Sequence, residues 1–581
     1  MSLTAFSIAN FKAFAASQRI PLRPITLIYG ANSSGKSSAI HALALAHHAI
    51  ETGDLDIQRP RIGGEAIDLG GFRQYVHRRE WARQVELGFE LDPTRLNGSG
   101  AELVSAAREI RVELAIGKGF ASEQQTLFGD KARAFDPDGA TRVERFALDV
   151  DGEFLLAMSA RRGRLLGMDR LEPGHAIIRD LCRRRLNQFN IGQESKEVAF
   201  DTYERALNFL VPNVTASNRG LFPRIENVPE TNAAHAEVRD RVVHDFIPLD
   251  ALRDLMEGIG VALEDELGRL HYLGPLRSYT PRHLAFSQHH DPNRFAGGGY
   301  AWDVVRDNPE VRSLVNQWLG DSERLKTPYE LQVRDLLQAD MVSGEVPAKL
   351  RKAMHDLLAS LLSRMDAREL IDLKVLADRR AEQIAELDPE DEEDLIPDIE
   401  ELLSSMSDEG EISDRWVEEM VAARSDAIQQ LVLVDKRTGT PVSHRDVGIG
   451  VSQVLPVLVS AYASNNKLLA IEQPEIHLHP ALQAELGDVF LESALGDNGN
   501  TFLIETHSEH LLLRILRRIR ETTDGELPEG SLPVQPYQVA VLFVQPGAHD
   551  TEVIEIPVTP EGEFERTWPG GFFTERAEEL F

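Results

Sequence analysis

The sequence predicts an α/β protein whose main sheet is parallel and is assembled from both ends of a long chain. Two observations predict it. Near the start, the apolar run ITLIYG (25–30) passes through GANSSGKSS (30–38) into the alanine-rich stretch SAIHALALAHHAI, giving strand, glycine loop and helix in that order. In the last 150 residues, QLVLVDK, KLLAIEQ, NTFLIET and VAVLFVQ read as short, wholly apolar strands alternating with helical stretches, the pattern of a buried parallel sheet.

The chain has 581 residues, more than one ordinary core, and divides by character into four blocks. Residues 1–150 hold the glycine loop and a β-rich flank, in which QVELGFELD, REIRVELAIG and VERFALDVDGEFLLAMSA read as strands. Residues 151–344 form a mixed insert with apolar-periodic segments such as TYERALNFLV and DFIPLDALRDLMEGIGVALEDELGRL, followed by HYLGPLRSYTPR and AGGGY. Residues 345–430 read as helices flanking ELDPEDEEDLIPDIEEL, an acidic linker broken by Pro389 and Pro397. Residues 431–581 return to α/β character.

Composition narrows the functions. At 42% hydrophobic and 27% charged residues the chain is globular, and no apolar run approaches the roughly 20 residues of a membrane span. Cys182 is the only cysteine and the start MSLTAFSIANFKAF lacks the features of a signal peptide, so a cytoplasmic location is expected. A net charge of −32 argues against broad nucleic-acid binding, which depends on cations displacing phosphate counterions. DNA or RNA contact would need a local basic patch; the candidates are Arg161–Arg164, Arg183–Arg185 and RILRRIR (514–520), each of which also reads as a solvated helix face.

GANSSGKS fits the phosphate-loop pattern G-x-x-x-x-G-K-[ST], in the strand-to-helix context the pattern requires. Gly30 and Gly35 let the backbone wrap a phosphate, Lys36 reaches the β/γ-oxygens and the Ser37 hydroxyl ligates magnesium. Asn32, Ser33, Ser34 and Ser38 complete the expected nucleotide contacts. Such a loop needs an acid at the end of a neighbouring apolar strand to hold the Mg2+ through water. Glu472, closing LLAIE, is the candidate, although more than 400 residues separate it from Lys36.

In order along the chain, IANFKAF, GANSSGKSS, DVGIGVSQVLP, IEQPEIHLHP and ETHSEH resemble the ABC-type ATPases related to the overcoming-lysogenization-defect family and, more distantly, the heads of SMC and DNA-repair ATPases. The ending WPGGFFTERAEELF is similar to the tail of the DUF3696 branch, and YLGPLR (272–277) resembles a family element within the insert. The resemblance implies a P-loop ABC-type ATPase head formed from both chain ends around a large mixed and helical insertion. It also implies ATP and Mg2+ as cofactors, and at least a homodimer in which each copy lends a signature segment to the other's γ-phosphate. Here that segment is GIGVSQ (448–453), with Gly450 and Ser452 the expected donors, and His507 matches the switch histidine.

Family members usually carry a glutamate after the magnesium acid to polarise the attacking water. This chain has Gln473, which orients water but cannot accept its proton, so hydrolysis should be slow. Glu475 is a second carboxylate that could substitute, or face the dimer interface. Gln74, in IDLGGFRQYVH (67–77), falls where a magnesium- or water-contacting glutamine loop belongs, and a structural loop fits equally. His477 and His479 lack further ligands at metal-site spacing. No nuclease motif is evident after His507. The expectation is therefore a nucleotide-gated dimeric switch for a separate effector, such as a nuclease, in bacterial phage defence. The alternatives are an SMC-like DNA-repair or tethering ATPase and a non-hydrolysing ATP-bound scaffold.

Overall fold

A computed structural model describes residues 2–96, 101–118, 124–125, 131–132, 139–161, 165–187, 214–217, 220–227, 249–277, 293–321, 324, 326–336, 428–442 and 449–569. The expected helices and acidic linker of 345–427, the TYERALNFLV segment and most of the tail lie outside these residues. The chain separates into two compact units: one of residues 1–280, 290–331 and 433–581, the other of residues 281–289 and 332–432. The first unit holds the glycine loop and both of its neighbouring strands.

At the centre of this unit is a six-stranded sheet in the order Leu270–Leu273, Leu468–Glu472, Thr501–Glu505, Ile25–Gly30, Val539–Pro546, Thr551–Glu555. The first five strands run parallel and the last is an antiparallel edge. The strand of the glycine loop thus lies beside strands from the opposite end of the chain, as the two-ended reading requires. LLAIE, TFLIE and ITLIYG are buried at every position, which explains their uninterrupted apolar character: both faces of the sheet are covered.

Successive side chains of a strand point to opposite faces, and here each face has its own helices. Leu468, Ala470 and Leu503 join one large core with the Lys36–Thr52 helix, the Leu249–Gly268 helix and a second sheet. Phe502 points the other way, its ring 5.0 Å from that of Phe490 on the Pro480–Leu495 helix. The second sheet has nine strands, among them the expected Val85–Leu91, Ile110–Lys118, Thr141–Val150 and Glu153–Ala160, all antiparallel to their neighbours.

Two expectations change. Leu270–Leu273, read as part of the 151–344 insert, is an edge strand of the parallel sheet, in register with Leu468–Ile471. Its four residues are too short a run to show periodicity. Conversely, the strand containing QLVLVDK, Ile428–Asp435, does not join the parallel sheet. It belongs to a small three-stranded sheet and pairs antiparallel with Thr440–Val442. An apolar run specifies burial but not a partner.

Candidate functional site

The Lys36–Thr52 helix begins at Gly35, which sits at φ 99°, and has no side-chain cap and no acid in its first turn. Its N-terminal amides and dipole are therefore left for an anion. Gly30 has φ +150°, and a Cβ there would lie 2.6 Å from the Val544 carbonyl oxygen and 2.8 Å from Ser34 Oγ, so only glycine lets the loop close. Ser33, at φ 63°, carries the turn, and Asn32 and Ser33 are exposed while Ser34, Lys36 and Ser38 are buried. Ser34 Oγ has no hydrogen-bond partner among the described residues. Lys36 is folded over the loop, donating to the carbonyls of Gly30 at 3.2 Å and Ala31 at 2.9 Å.

Register brings the acids together. Glu472 and Glu505 are partners on adjacent parallel strands, on the face that packs against the loop helix. Ser37 Oγ donates to Glu505 Oε2 at 2.6 Å, and Lys36 Nζ lies 3.9 Å from Glu505 Oε1. Lys36 and Glu472, 436 positions apart in sequence, therefore share one site. Burial and the Glu472 charge push the Glu505 carboxyl up to about 7, against the opposing pull of Ser37 and Lys36. Glu505 is not among the residues the sequence motifs assign. A signal exists all the same: it closes an apolar strand just as Glu472 does.

Glu472 is held on its other side. Tyr272, from the edge strand, donates its hydroxyl to Glu472 Oε1 at 3.0 Å. His41, one turn beyond the loop, accepts from Lys12 Nζ through Nδ1 at 2.6 Å, which leaves the protonated Nε2 facing Glu472 Oε1 at 3.6 Å. Burial depresses both cationic forms, lowering His41 from its ordinary value and Lys12 to about 8. Arg277, also buried, gathers three backbone carbonyls: Glu472 at 3.0 Å, Gln473 at 3.2 Å and Gln453 at 3.3 Å. Lys12 lies in IANFKAF, and Tyr272 and Arg277 in YLGPLR, but those motifs alone give none of the three a task.

Gln473, at φ 45°, makes the turn out of the acid strand, its amide bonded to the Glu505 carbonyl at 2.7 Å. Glu475 is buried and accepts the His507 amide at 2.6 Å, so it braces the His507 backbone of its own chain rather than facing outward. Burial raises its carboxyl above the ordinary value. His507 is depressed by burial and by the Lys36 charge, and its buried Nε2 has no hydrogen-bond partner among the described residues.

Ser452 is only 1% exposed, and a Cβ on Gly450 would lie 2.8 Å from the His477 carbonyl oxygen. The start of the Ile449–Ala463 helix, where the signature segment was expected, is thus packed against its own chain, with Ser452 buried. Gly448 lies outside the described residues. Gln74 is exposed on the Phe72–Tyr75 turn, with no hydrogen bond to Ser37, Glu472 or Glu505. His479 caps the Pro480–Leu495 helix by accepting from the Ala481 amide.

The RILRRIR segment is not a free basic patch. Arg514 pairs with Glu485 and Asp488, Arg518 with Asp488 and Glu521, and Arg517 with Glu521, each within 2.7 Å. These contacts engage three of its four arginines, and a linear reading could not show the partners Glu485 and Asp488 because they come from another helix.

A glycine loop joining a buried parallel strand to a helix, with acids at the ends of neighbouring strands, defines a P-loop α/β fold built from both chain ends. A family model described as "AAA domain, putative AbiEii toxin, Type IV TA system" matches residues 305–514. That span contains the signature helix, Glu472 and His507 but not the phosphate loop. No curated protein matches the chain. Among solved structures it is similar to an Smc head bound to the C-winged helix domain of ScpA, at 9% identity and TM-score 0.35 over 96% of this chain and 98% of that one. It is also similar to an Smc head with an extended coiled coil from Pyrococcus furiosus, bound to the C-terminal domain of ScpA, at 9% identity and TM-score 0.33 over 100% and 98%. A third is the Smc head with a coiled coil and joint from Pyrococcus yayanosii, at 11% identity and TM-score 0.28 over 97% and 98%.

The donors suit the expected cofactors. A hydroxyl and two carboxylates are hard oxygen ligands of the kind magnesium takes, and the uncapped helix start with the orphan Ser34 hydroxyl suits a phosphate. No described helix is long and apolar enough to cross a membrane.

Proposed function

We propose that this chain binds Mg-ATP at the loop Gly30–Ser38 and hydrolyses it slowly, its nucleotide state setting the engagement of a second copy and of a separate effector. The observation that carries the reading is the convergence of Lys36, Ser37, Glu472 and Glu505 at the ends of three neighbouring strands. Lys36, which donates to the Gly30 and Ala31 carbonyls, would reach the β/γ-phosphates, the helix amides would hold the anion, and a Mg2+ held by the Ser37 hydroxyl and the strand-end carboxylates would supply charge neutralisation. His507, whose Nε2 has no partner among the described residues, reaches the γ-phosphate, while Glu475 fixes the backbone that carries it.

Slow turnover follows from Gln473, since water is oriented but no carboxylate stands directly after the acid strand to take its proton. Phosphoryl transfer depends mainly on positioning and charge, so the step is slowed rather than abolished. A long-lived ATP state suits a switch. The effector, such as a nuclease, and a role in bacterial phage defence rest on the motif resemblance. In this reading Gly450 and Ser452 become available to the partner copy only if nucleotide binding shifts the signature helix. Single-turnover phosphate release tests the enzyme: wild type releases phosphate with Mg2+ and Lys36→Ala does not. Equal rates for the two proteins would sink the assignment.

A further inference from the structure

We propose that Glu505 is a direct ligand of the divalent cation, sharing it with the Ser37 hydroxyl, while Glu472 serves as the outer carboxylate. This deepens the Mg-ATP reading and rests on it. The sequence assigns Glu472 as the acid that holds magnesium through water and gives Glu505 no role; the geometry adds Glu505 beside the Ser37 hydroxyl. Glu505 Oε2 lies 2.6 Å from Ser37 Oγ, whereas Glu472 Oε1 is already engaged by the Tyr272 hydroxyl at 3.0 Å and faces His41 at 3.6 Å. Magnesium binds oxygen at about 2.0–2.1 Å in an octahedron, so adjacent ligand oxygens on it stand about 2.9 Å apart. The Ser37–Glu505 pair is already near that spacing, so a cation could sit between the two oxygens with little movement of either side chain, the hydroxyl keeping its proton and turning it away from the carboxylate.

Two further features favour Glu505. Gln74, for which a magnesium or water contact and a structural loop fit the sequence equally, is exposed on its turn and makes no hydrogen bond to Ser37, whereas Glu505 does. Glu505 also stands two residues before His507, so a cation held by Glu505 fixes the strand end that carries the γ-phosphate contact. Without the cation, the same carboxylate holds the Ser37 hydroxyl and lies 3.9 Å from Lys36, keeping the loop's ligands gathered.

The test uses the full chain loaded with a non-hydrolysable ATP analogue and titrated with Mn2+, free metal being read by electron paramagnetic resonance. Glu505→Gln keeps the shape and a hydrogen bond to Ser37; it should lower Mn2+ affinity at least tenfold, a larger change than it makes to analogue binding measured in chelator. Glu505→Asp should fall between the two. Glu505→Cys should bind Cd2+ with the analogue more tightly than wild type does and Mg2+ more weakly, because a thiolate prefers the softer ion. Wild-type Mn2+ affinity in Glu505→Gln, or no change in metal preference in Glu505→Cys, overturns the assignment while the ATPase reading stands. Wild type that binds no nucleotide with or without cation overturns both.

Discussion

Arg277→Met separates the stability of the head from the geometry of its site. The guanidinium donates to three backbone carbonyls: the last residue of the acid strand, Gln473 after it, and Gln453 of the signature helix. At 3.0–3.3 Å these are long for charged bonds, so about 1.5 kcal/mol each, the low end of the usual range, gives roughly 4–5 kcal/mol lost. Against this, burial holds Arg277 down to about 10 from an ordinary 12.5, a cost of about 3 kcal/mol for keeping the charge, which methionine removes. The balance is a destabilisation of only about 1–2 kcal/mol, since methionine also fills most of the space. The site should suffer more, because Gln473, Glu475 and the signature helix lose the clamp that fixes their backbones. Urea denaturation should show a small shift in midpoint with unchanged slope, and single-turnover phosphate release should fall at least tenfold. Global unfolding of the variant, or wild-type release with the small stability change, would refute the clamp.

Three other substitutions test separate links. Gln473→Glu should raise turnover several-fold by supplying the missing proton acceptor; an unchanged rate in steady-state phosphate release would show that the glutamine is not the brake. Gly30→Ala places a Cβ 2.6 Å from the Val544 carbonyl oxygen at φ +150°, so about 1–3 kcal/mol of strain should appear as weakened binding of a fluorescent ATP analogue, and wild-type affinity would show that the loop tolerates a side chain. His271 is pulled down to about 4 by burial, with Lys467 and His47 adding to the effect. The unfolded chain therefore takes up a proton that the folded one refuses as pH falls from about 6.5 towards 4, and stability is lost across that window. In His271→Gln the urea midpoint should decline less between pH 7 and 5, and an identical decline would remove His271 as a cause.

Local sequence settled which elements must be buried and where the glycine loop lies between strand and helix. ITLIYG, LLAIE and TFLIE are apolar throughout because both faces of their sheet are covered, and the glycines of GANSSGKS mark backbone that no side chain permits. The folded arrangement settled which distant groups meet. Glu505 lies beside Glu472 only because two parallel strands pair in one register, and Tyr272 reaches the same carboxylate because a four-residue run inside the expected insert adds itself to the sheet. Arg514 and Arg518 of RILRRIR read as free until another helix supplies Glu485 and Asp488, and Ser452 reads as available until its own chain buries it. Local pattern records whether a residue prefers water, through the free energy of its own transfer. Pairing depends on contacts between residues hundreds of positions apart, which no local window contains.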